Sequence, residues 1–116
     1  MEVDELREYC LRKKGCTESF PFDEYTLVFK VGGKMFALTG LDATEPSVNL
    51  KCDPERSEEL RERYAEIKPG YHMSKVHWNT VMLRGSLSEA FIRELIDHSY
   101  MLIMQSLPAK IRKEFL

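Results

Sequence analysis

The stretch of sequence that decides the fold is residues 25–39, YTLVFKVGGKMFALT. Two runs rich in β-branched and aromatic residues are separated only by Gly32-Gly33, a pair typical of the two-residue turn that closes a β-hairpin. Because such a turn fixes which residues face each other, it also predicts the strand register. The expected pairs are Phe29–Phe36 and Leu27–Leu38 on an apolar face, and Lys30–Met35, Val28–Ala37 and Thr26–Thr39 on a mixed one.

Helical and extended patterns on both sides of this hairpin predict the order α-β-β-β-α-β-α. The further elements are a helix at residues 2–14, a strand Ser47–Cys52, a helix from Asp53 with the apolar stripe Leu60, Tyr64 and Ile67, a strand His77–Arg84 preceded by a short extended piece at Tyr71–Met73, a long helix after the capping box Ser86–Glu89, and a terminal helix Ala109–Phe115. We expect one domain over residues 1–116, a two-layer α+β fold with the helices packed on one face of an antiparallel sheet. The other face is expected to be open to solvent.

The apolar positions of these elements predict the core. The side chains expected between sheet and helices are Leu27, Phe29, Phe36, Leu38, Val48 and Leu50 from the strands, and Leu60, Phe91 and Leu95 from the helices. Along the long helix, the predicted stripe is Leu87, Phe91, Leu95 and Leu102, widened by Ile92 and Ile96.

Composition excludes several classes of protein. The chain has 116 residues, 43% of them hydrophobic and 31% charged, which is typical of a globular domain and not of a disordered one. The longest apolar run, Tyr100–Met104, is far shorter than the roughly 18 residues that span a bilayer. The start of the chain lacks the basic and apolar regions of a signal peptide, so we expect a cytoplasmic protein with no membrane association and with its three cysteines reduced.

Charge is distributed unevenly along the chain. Residues 25–52 carry three lysines against two acids, and residues 69–84 carry two cations and no acid, a net charge of +3. Because the whole chain has a net charge of −2, the remaining, mostly helical segments sum to −5. A basic sheet face can attract an anion, but the same cations can also serve only to solvate an open sheet.

Three segments resemble the MmcQ/YjbR family of small bacterial proteins. They are the run PGYHMSKVHWNTV at residues 69–81, the motif FPFD at 20–23 and the motif FKVGGKMFA at 29–37. The resemblance extends from the first helix to about Leu107. It implies a fold similar to that of frataxin (CyaY-like) and a DNA-binding role through a proposed double-wing arrangement.

The densest group of polar and aromatic residues lies within that first segment, at His72, Lys75, His77 and Trp78. An exposed tryptophan beside cations can stack on a base while the cations contact phosphates, whereas a buried Trp78 would only fill the core. We take the cations on or beside the strands together with this segment as the candidate nucleic-acid-binding residues. They are Lys30, Lys34, Lys51, Lys75, His77, Trp78 and Arg84.

Catalytic and metal-binding motifs are absent from the sequence. There is no glycine-rich phosphate loop, HExxH, GxSxG or CxxC, so we expect a protein that is not an enzyme and has no cofactor. His72 and His77 lack the further nearby ligands that a zinc site requires. Cys10 and Cys52 occupy apolar-face positions, and Cys16 is the thiol expected to be most exposed.

Three functions remain. The first is a non-enzymatic module that binds DNA through its basic sheet face, and the second is a protein-interaction or small-anion-binding module that uses the same surface. The third, iron handling, rests on fold analogy alone. We expect a monomer, with a homodimer through the second face of the hairpin or through Ile103, Met104 and Leu107 as the alternative.

Overall fold

The computed structural model describes residues 1–70 and 73–115. Of the predicted extended piece at Tyr71–Met73, only Met73 lies within the described residues, and the candidate residue His72 lies outside them. Helix α1 is shorter than predicted, and its first turn is closed by a capping box between Glu2 and Glu5. The elements are α1 (Val3–Leu11), β1 (Thr17–Ser19), β2 (Thr26–Val31), β3 (Lys34–Gly40), β4 (Ser47–Lys51), α2 (Pro54–Arg63), β5 (Ile67–Pro69), β6 (Trp78–Met82), α3 (Glu89–Ser106), α4 (Ala109–Arg112) and a 3-10 turn (Lys113–Phe115).

In the part of the chain that the structure describes, six strands form one antiparallel sheet in the order β1-β2-β3-β4-β6-β5. A single buried cluster joins the sheet to helices α1, α2 and α3, with Leu6, Leu60 and Ile96 from the helices meeting Phe29 and Leu50 from the strands. The predicted two-layer α+β fold is therefore confirmed. The predicted order of elements lacked two strands, because β1 and β5 are only three residues long.

The hairpin register is correct near the turn and wrong beyond it. Gly32 and Gly33 both have positive φ angles, 58° and 82°, as a primed turn requires, and Lys30 pairs with Met35 as predicted. A β-bulge then inserts one extra residue on β3, so that Phe29 faces Ala37 instead of the predicted Phe36.

The bulge changes which side chains reach the core. Phe36 still faces the helices, where its ring meets that of Tyr100 edge-on with centroids 5.3 Å apart, and its carbonyl accepts a hydrogen bond of 2.6 Å from Ser99 Oγ. Leu38, predicted to face the helices, instead pairs with Val28 on the opposite side of the sheet. Both are buried there, so this second face is not fully open as predicted.

Strand β5 replaces the predicted last turn of α2. The helix ends at Arg63, Tyr64 has an extended backbone, and Ile67 pairs with Val81 on β6. The helical spacing of Leu60, Tyr64 and Ile67 is a coincidence. Only Leu60 lies within α2, whereas Tyr64 follows the helix end and Ile67 belongs to β5.

Helix α3 buries a stripe that is rotated from the predicted one. Its N-cap Ser88 accepts a hydrogen bond of 3.1 Å from the N–H of Phe91. Phe91 itself is half-buried and packs on Tyr64 at the edge of the core. The residues buried along the helix are Ile92, Leu95, Ile96, Ser99 and Ile103. Within residues 1–70 and 73–115, no helix combines the length and the apolar character needed to cross a membrane.

Candidate nucleic-acid interface

Strand alternation brings three of the candidate residues to the sheet surface opposite the helices, here called the open face. Leu50 and Val81 belong to the core, so their neighbours Lys51 and Thr80 point to the open face. Lys51 and Trp78 are cross-strand partners. Lys30 lies on the same face of β2, where it pairs with Met35 of the intervening strand β3.

A third lysine on the open face escaped the sequence analysis. Lys68 is exposed on β5 and pairs with Thr80 of β6. The segment was predicted to be helical, which hid the alternation of buried Ile67 with exposed Lys68. Pro69 indicated only that the helix must end before residue 69 and gave no sign of a strand.

Two candidate cations lie elsewhere. Lys34 points to the helical layer, where its Nζ is 3.5 Å from the carbonyl oxygen and 3.4 Å from the Oγ of Ser106, at the end of α3. Arg84 follows β6 and makes two hydrogen bonds, of 3.1 and 2.7 Å, with the Glu2 carboxylate. These bonds lower the pKa of Glu2, so this pair is charged at neutral pH. The seven predicted residues therefore do not form one continuous surface.

The turn that carries Lys75 and His77 is anchored from below by α2. The N–H groups of His77 and Trp78 both donate to the carbonyl of Ser74, at 3.2 and 2.9 Å. Arg61 of α2 donates to the carbonyl oxygens of Lys75 and Trp78, and its Nε is 2.7 Å from Asn79 Oδ1. Lys75 and His77 are exposed on this fixed turn.

Trp78 is neither fully exposed for stacking nor fully buried in the core, the two alternatives that the sequence left open. Its side chain is half-buried on the open face. Gly70 lies so close that an added Cβ would be 3.1 Å from Trp78 Cβ and 3.2 Å from its carbonyl oxygen. The tryptophan is therefore held in place by the neighbouring strand and retains an accessible part.

A groove of about 700 Å³ lies on the open face beside these lysines. Leu38 and Asn49 line its floor, and Met35, the partner of Lys30, lines it as well. Phe22 and Met73 line it from the loops that flank the sheet. Phe22 is 63% exposed, and Phe20 and Tyr25 on the same loop are also exposed. Sequence analysis missed this groove because the bulge that turns Leu38 outward has no clear sequence signal.

Among the described residues, Lys30, Lys51 and Lys68 of the open face form no ion pair with an acidic side chain. Five ion pairs are found within residues 1–70 and 73–115, and none includes Lys30, Lys51 or Lys68. Among the acids on this side, Asp23 accepts hydrogen bonds from its own loop and Glu66 from Ser86, and Glu66 and Glu45 line a pocket together with Lys68. Lys30, Lys51 and Lys68 therefore present positive charge outside these ion pairs, beside exposed aromatic rings.

Thiols and possible metal ligands were the other candidates. All three cysteines are free, with Cys10 and Cys52 buried and Cys16 half-buried. Burial raises the pKa of the Cys10 thiol to about 12 and that of Cys16 to about 11, so both are protonated at neutral pH and poorly nucleophilic. In the part of the chain that the structure describes, no three His, Cys, Asp or Glu side chains are grouped closely enough to hold a metal ion.

Comparison with known proteins identifies the family. The YjbR family model matches residues 11–102. The uncharacterised Escherichia coli K12 protein YjbR is 37% identical over 113 residues, which are 97% of this chain and 96% of the relative. The uncharacterised protein YbdF of Escherichia coli O157:H7 is 42% identical over 94 residues, covering 81% of this chain and 77% of the relative.

Solved structures agree with this assignment. A Deinococcus radiodurans protein with a DUF419 domain superposes with a TM-score of 0.91 at 43% identity, over 97% of this chain and 86% of that protein. A Pseudomonas syringae protein gives a TM-score of 0.77 at 29% identity, over 89% and 99% of the two chains. From the family match and these relatives together, the chain belongs to the YjbR family.

Proposed function

We propose that this chain is a non-enzymatic DNA-binding protein that contacts phosphates through the lysines of its open face. The observation that carries the proposal is the set Lys30, Lys51 and Lys68, which stand on one sheet surface without a carboxylate partner among the described residues. Lysines without acidic partners are available to replace the counterions condensed on DNA, which is the main source of affinity for a polyanion.

The distribution of charge supports binding through one face only. Helix α2 carries four glutamates against three arginines, and α1 begins with acidic residues, so the helical layer is the more acidic side of the protein. The open face and the turn at Lys75 and His77 attract phosphates. A protein of net charge −2 can therefore bind DNA in one orientation.

The salt dependence of binding tests this proposal. If Lys30, Lys51, Lys68 and Lys75 each neutralise one phosphate, the logarithm of the association constant should fall with the logarithm of salt concentration with a slope of about −3.6. Fluorescence anisotropy with a labelled duplex oligonucleotide between about 50 and 200 mM salt measures this slope, because the coefficient of about −0.9 for each phosphate applies to duplex DNA. Lys51→Gln should reduce it to about −2.7, because one contact is lost.

Lys34→Gln is the matched control. It makes the same change of charge in the same sheet, but Lys34 points to the end of α3 and not to the open face. It should leave the slope near the value of the unaltered protein. Equal effects of the two variants, or no binding at about 50 mM salt, would contradict the proposal.

The flanking aromatic residues favour a second candidate, a protein-interaction module on the same surface. Phe20, Phe22 and Tyr25 are exposed within six residues of one loop, and clustered exposed apolar groups are typical of protein interfaces. Protein binding of this kind would depend on these rings and only weakly on salt. The slope therefore distinguishes the two functions.

A further inference from the structure

The groove on the open face has the size of a site for a small planar group. Its volume of about 700 Å³ lies within the range of small-molecule sites, and its floor is made by Leu38 and Asn49. Lys51 follows Asn49 by two residues on the same face of β4, a distance of about 7 Å. Lys30 is the cross-strand partner of Met35, which lines the groove. A ligand in the groove would therefore reach both lysines.

Phe22 provides an exposed aromatic surface at the rim, on a loop whose backbone is fixed. The loop that carries it is tied down by the adjacent Asp23, whose Oδ1 accepts hydrogen bonds of 2.9 and 2.6 Å from the N–H groups of Tyr25 and Thr26. Asp23 Oδ2 also accepts a bond of 3.1 Å from Thr26 Oγ1. The Phe22 ring, attached to this fixed backbone and 63% exposed, is available to stack with a planar ligand.

The polar groups of the groove match the edge of a nucleobase. Asn49 Oδ1 accepts a hydrogen bond of 2.5 Å from Thr80 Oγ1, and the Asn49 amide nitrogen has no partner within residues 1–70 and 73–115. Asp23 contributes an acceptor, and the N–H groups of Tyr25 and Thr26 lower its pKa, so it is ionised at neutral pH. A donor and an acceptor in one groove suit the mixed edge of a base.

Charge divides the surface into two parts. The Asp23 carboxylate repels a phosphate from the groove itself, whereas Lys30 and Lys51 beside it attract one. A free phosphate or a uniformly anionic ligand fits only the lysine side. A nucleotide, with a neutral base and a charged backbone, fits both parts.

We propose that the groove takes an unpaired base of single-stranded DNA, stacked on Phe22 and bonded to Asn49, while Lys30 and Lys51 hold the adjacent phosphates. This inference rests on the proposed function and specifies the form of DNA. A base inside a duplex is stacked and paired, so it cannot enter the groove without being flipped out. The single strand presents the base directly.

Binding of single-stranded and duplex DNA to the full chain tests the inference. The probes are a labelled, non-self-pairing 12-nucleotide strand of mixed sequence and the 12-base-pair duplex made from it, in the same buffer. The single strand should bind at least about tenfold more tightly, and Phe22→Ala should weaken its binding at least about fivefold. The same variant should change duplex binding less than twofold.

Two controls separate base recognition from loss of structure. Met101→Ala removes an apolar side chain that is 56% exposed on α3, on the helical layer, and should change neither affinity. Because Phe22 is exposed, Phe22→Ala should melt at the same temperature as the unaltered protein. Asn49→Ala provides a second variant in the groove and should also weaken only the single-stranded complex.

Each remaining outcome decides between the two proposals. Equal affinity for the two forms, or an equal effect of Phe22→Ala on both, would overturn base recognition, while a salt slope that responds to Lys51→Gln would still support the phosphate contacts. If neither form binds at about 50 mM salt, both proposals fail.

Discussion

Replacing Arg61 by alanine should destabilise the protein well beyond what a half-exposed side chain normally contributes. Arg61 donates to three acceptors, the carbonyl oxygens of Lys75 and Trp78 and the Oδ1 of buried Asn79. At about 1 kcal/mol for each bond, the variant should lose about 3 kcal/mol of unfolding free energy. Because small domains have about 5–15 kcal/mol in total, this loss is large.

Urea unfolding followed by tryptophan fluorescence measures this loss, since Trp78 is the single tryptophan of the chain and lies in the affected turn. Arg63→Ala is the matched control, because Arg63 is an exposed residue in the same last turn of α2. Its substitution removes the same positive charge from the helix terminus. It should cost less than about 0.5 kcal/mol. Equal losses in the two variants would refute the anchoring role of Arg61.

Three further predictions follow from burial and close packing. Ile96→Ala should lower the unfolding free energy by about 2–5 kcal/mol, and Phe91→Ala by less than the 3–5 kcal/mol typical of a fully buried phenylalanine, because Phe91 is only partly buried. Urea unfolding of both variants checks the ranking, and a greater loss for Phe91 would contradict the packing described for α3. Gly70→Ala should cost about 1–3 kcal/mol and shift the emission of Trp78, because the new Cβ must displace that residue. An unshifted spectrum with unchanged stability would show that the contact relaxes freely. Alkylation of Cys16 by iodoacetamide should be slow at pH 8 and keep accelerating up to about pH 11, because burial raises its pKa to about 11 and only the thiolate reacts. A rate that levels off near pH 9 would exclude this effect of burial.

Local patterns predicted the hairpin turn but could not predict its bulge. Gly32-Gly33 determines the turn and the adjacent Lys30–Met35 pair through backbone conformation alone. The extra residue at Phe36 is favoured by contacts with α3, where Ser99 and Tyr100 engage it. These contacts join residues more than sixty positions apart in the sequence. A periodic pattern within a short segment therefore cannot predict them.

The candidate site could be predicted only in part for the same reason. Alternation along β4 correctly gave the outward direction of Lys51, and the motif at residues 69–81 drew attention to Trp78. Lys34 belongs to an equally clear strand, yet it lies at the hairpin end, where its long side chain reaches Ser106. Lys68 was hidden by a three-residue strand that sequence periodicity cannot distinguish from a helix end.

The two outermost strands of the sheet restrict how copies of this protein can associate. β1 and β5 have three residues each, and Pro69 of β5 has no N–H to offer an incoming chain. Long, regular outer strands act as templates for open-ended polymerisation, whereas short or proline-containing ones do not. Association of copies along these strands is therefore disfavoured, so contacts between copies would have to use a sheet or helix face, and the sheet edges are protected from fibre-like pairing.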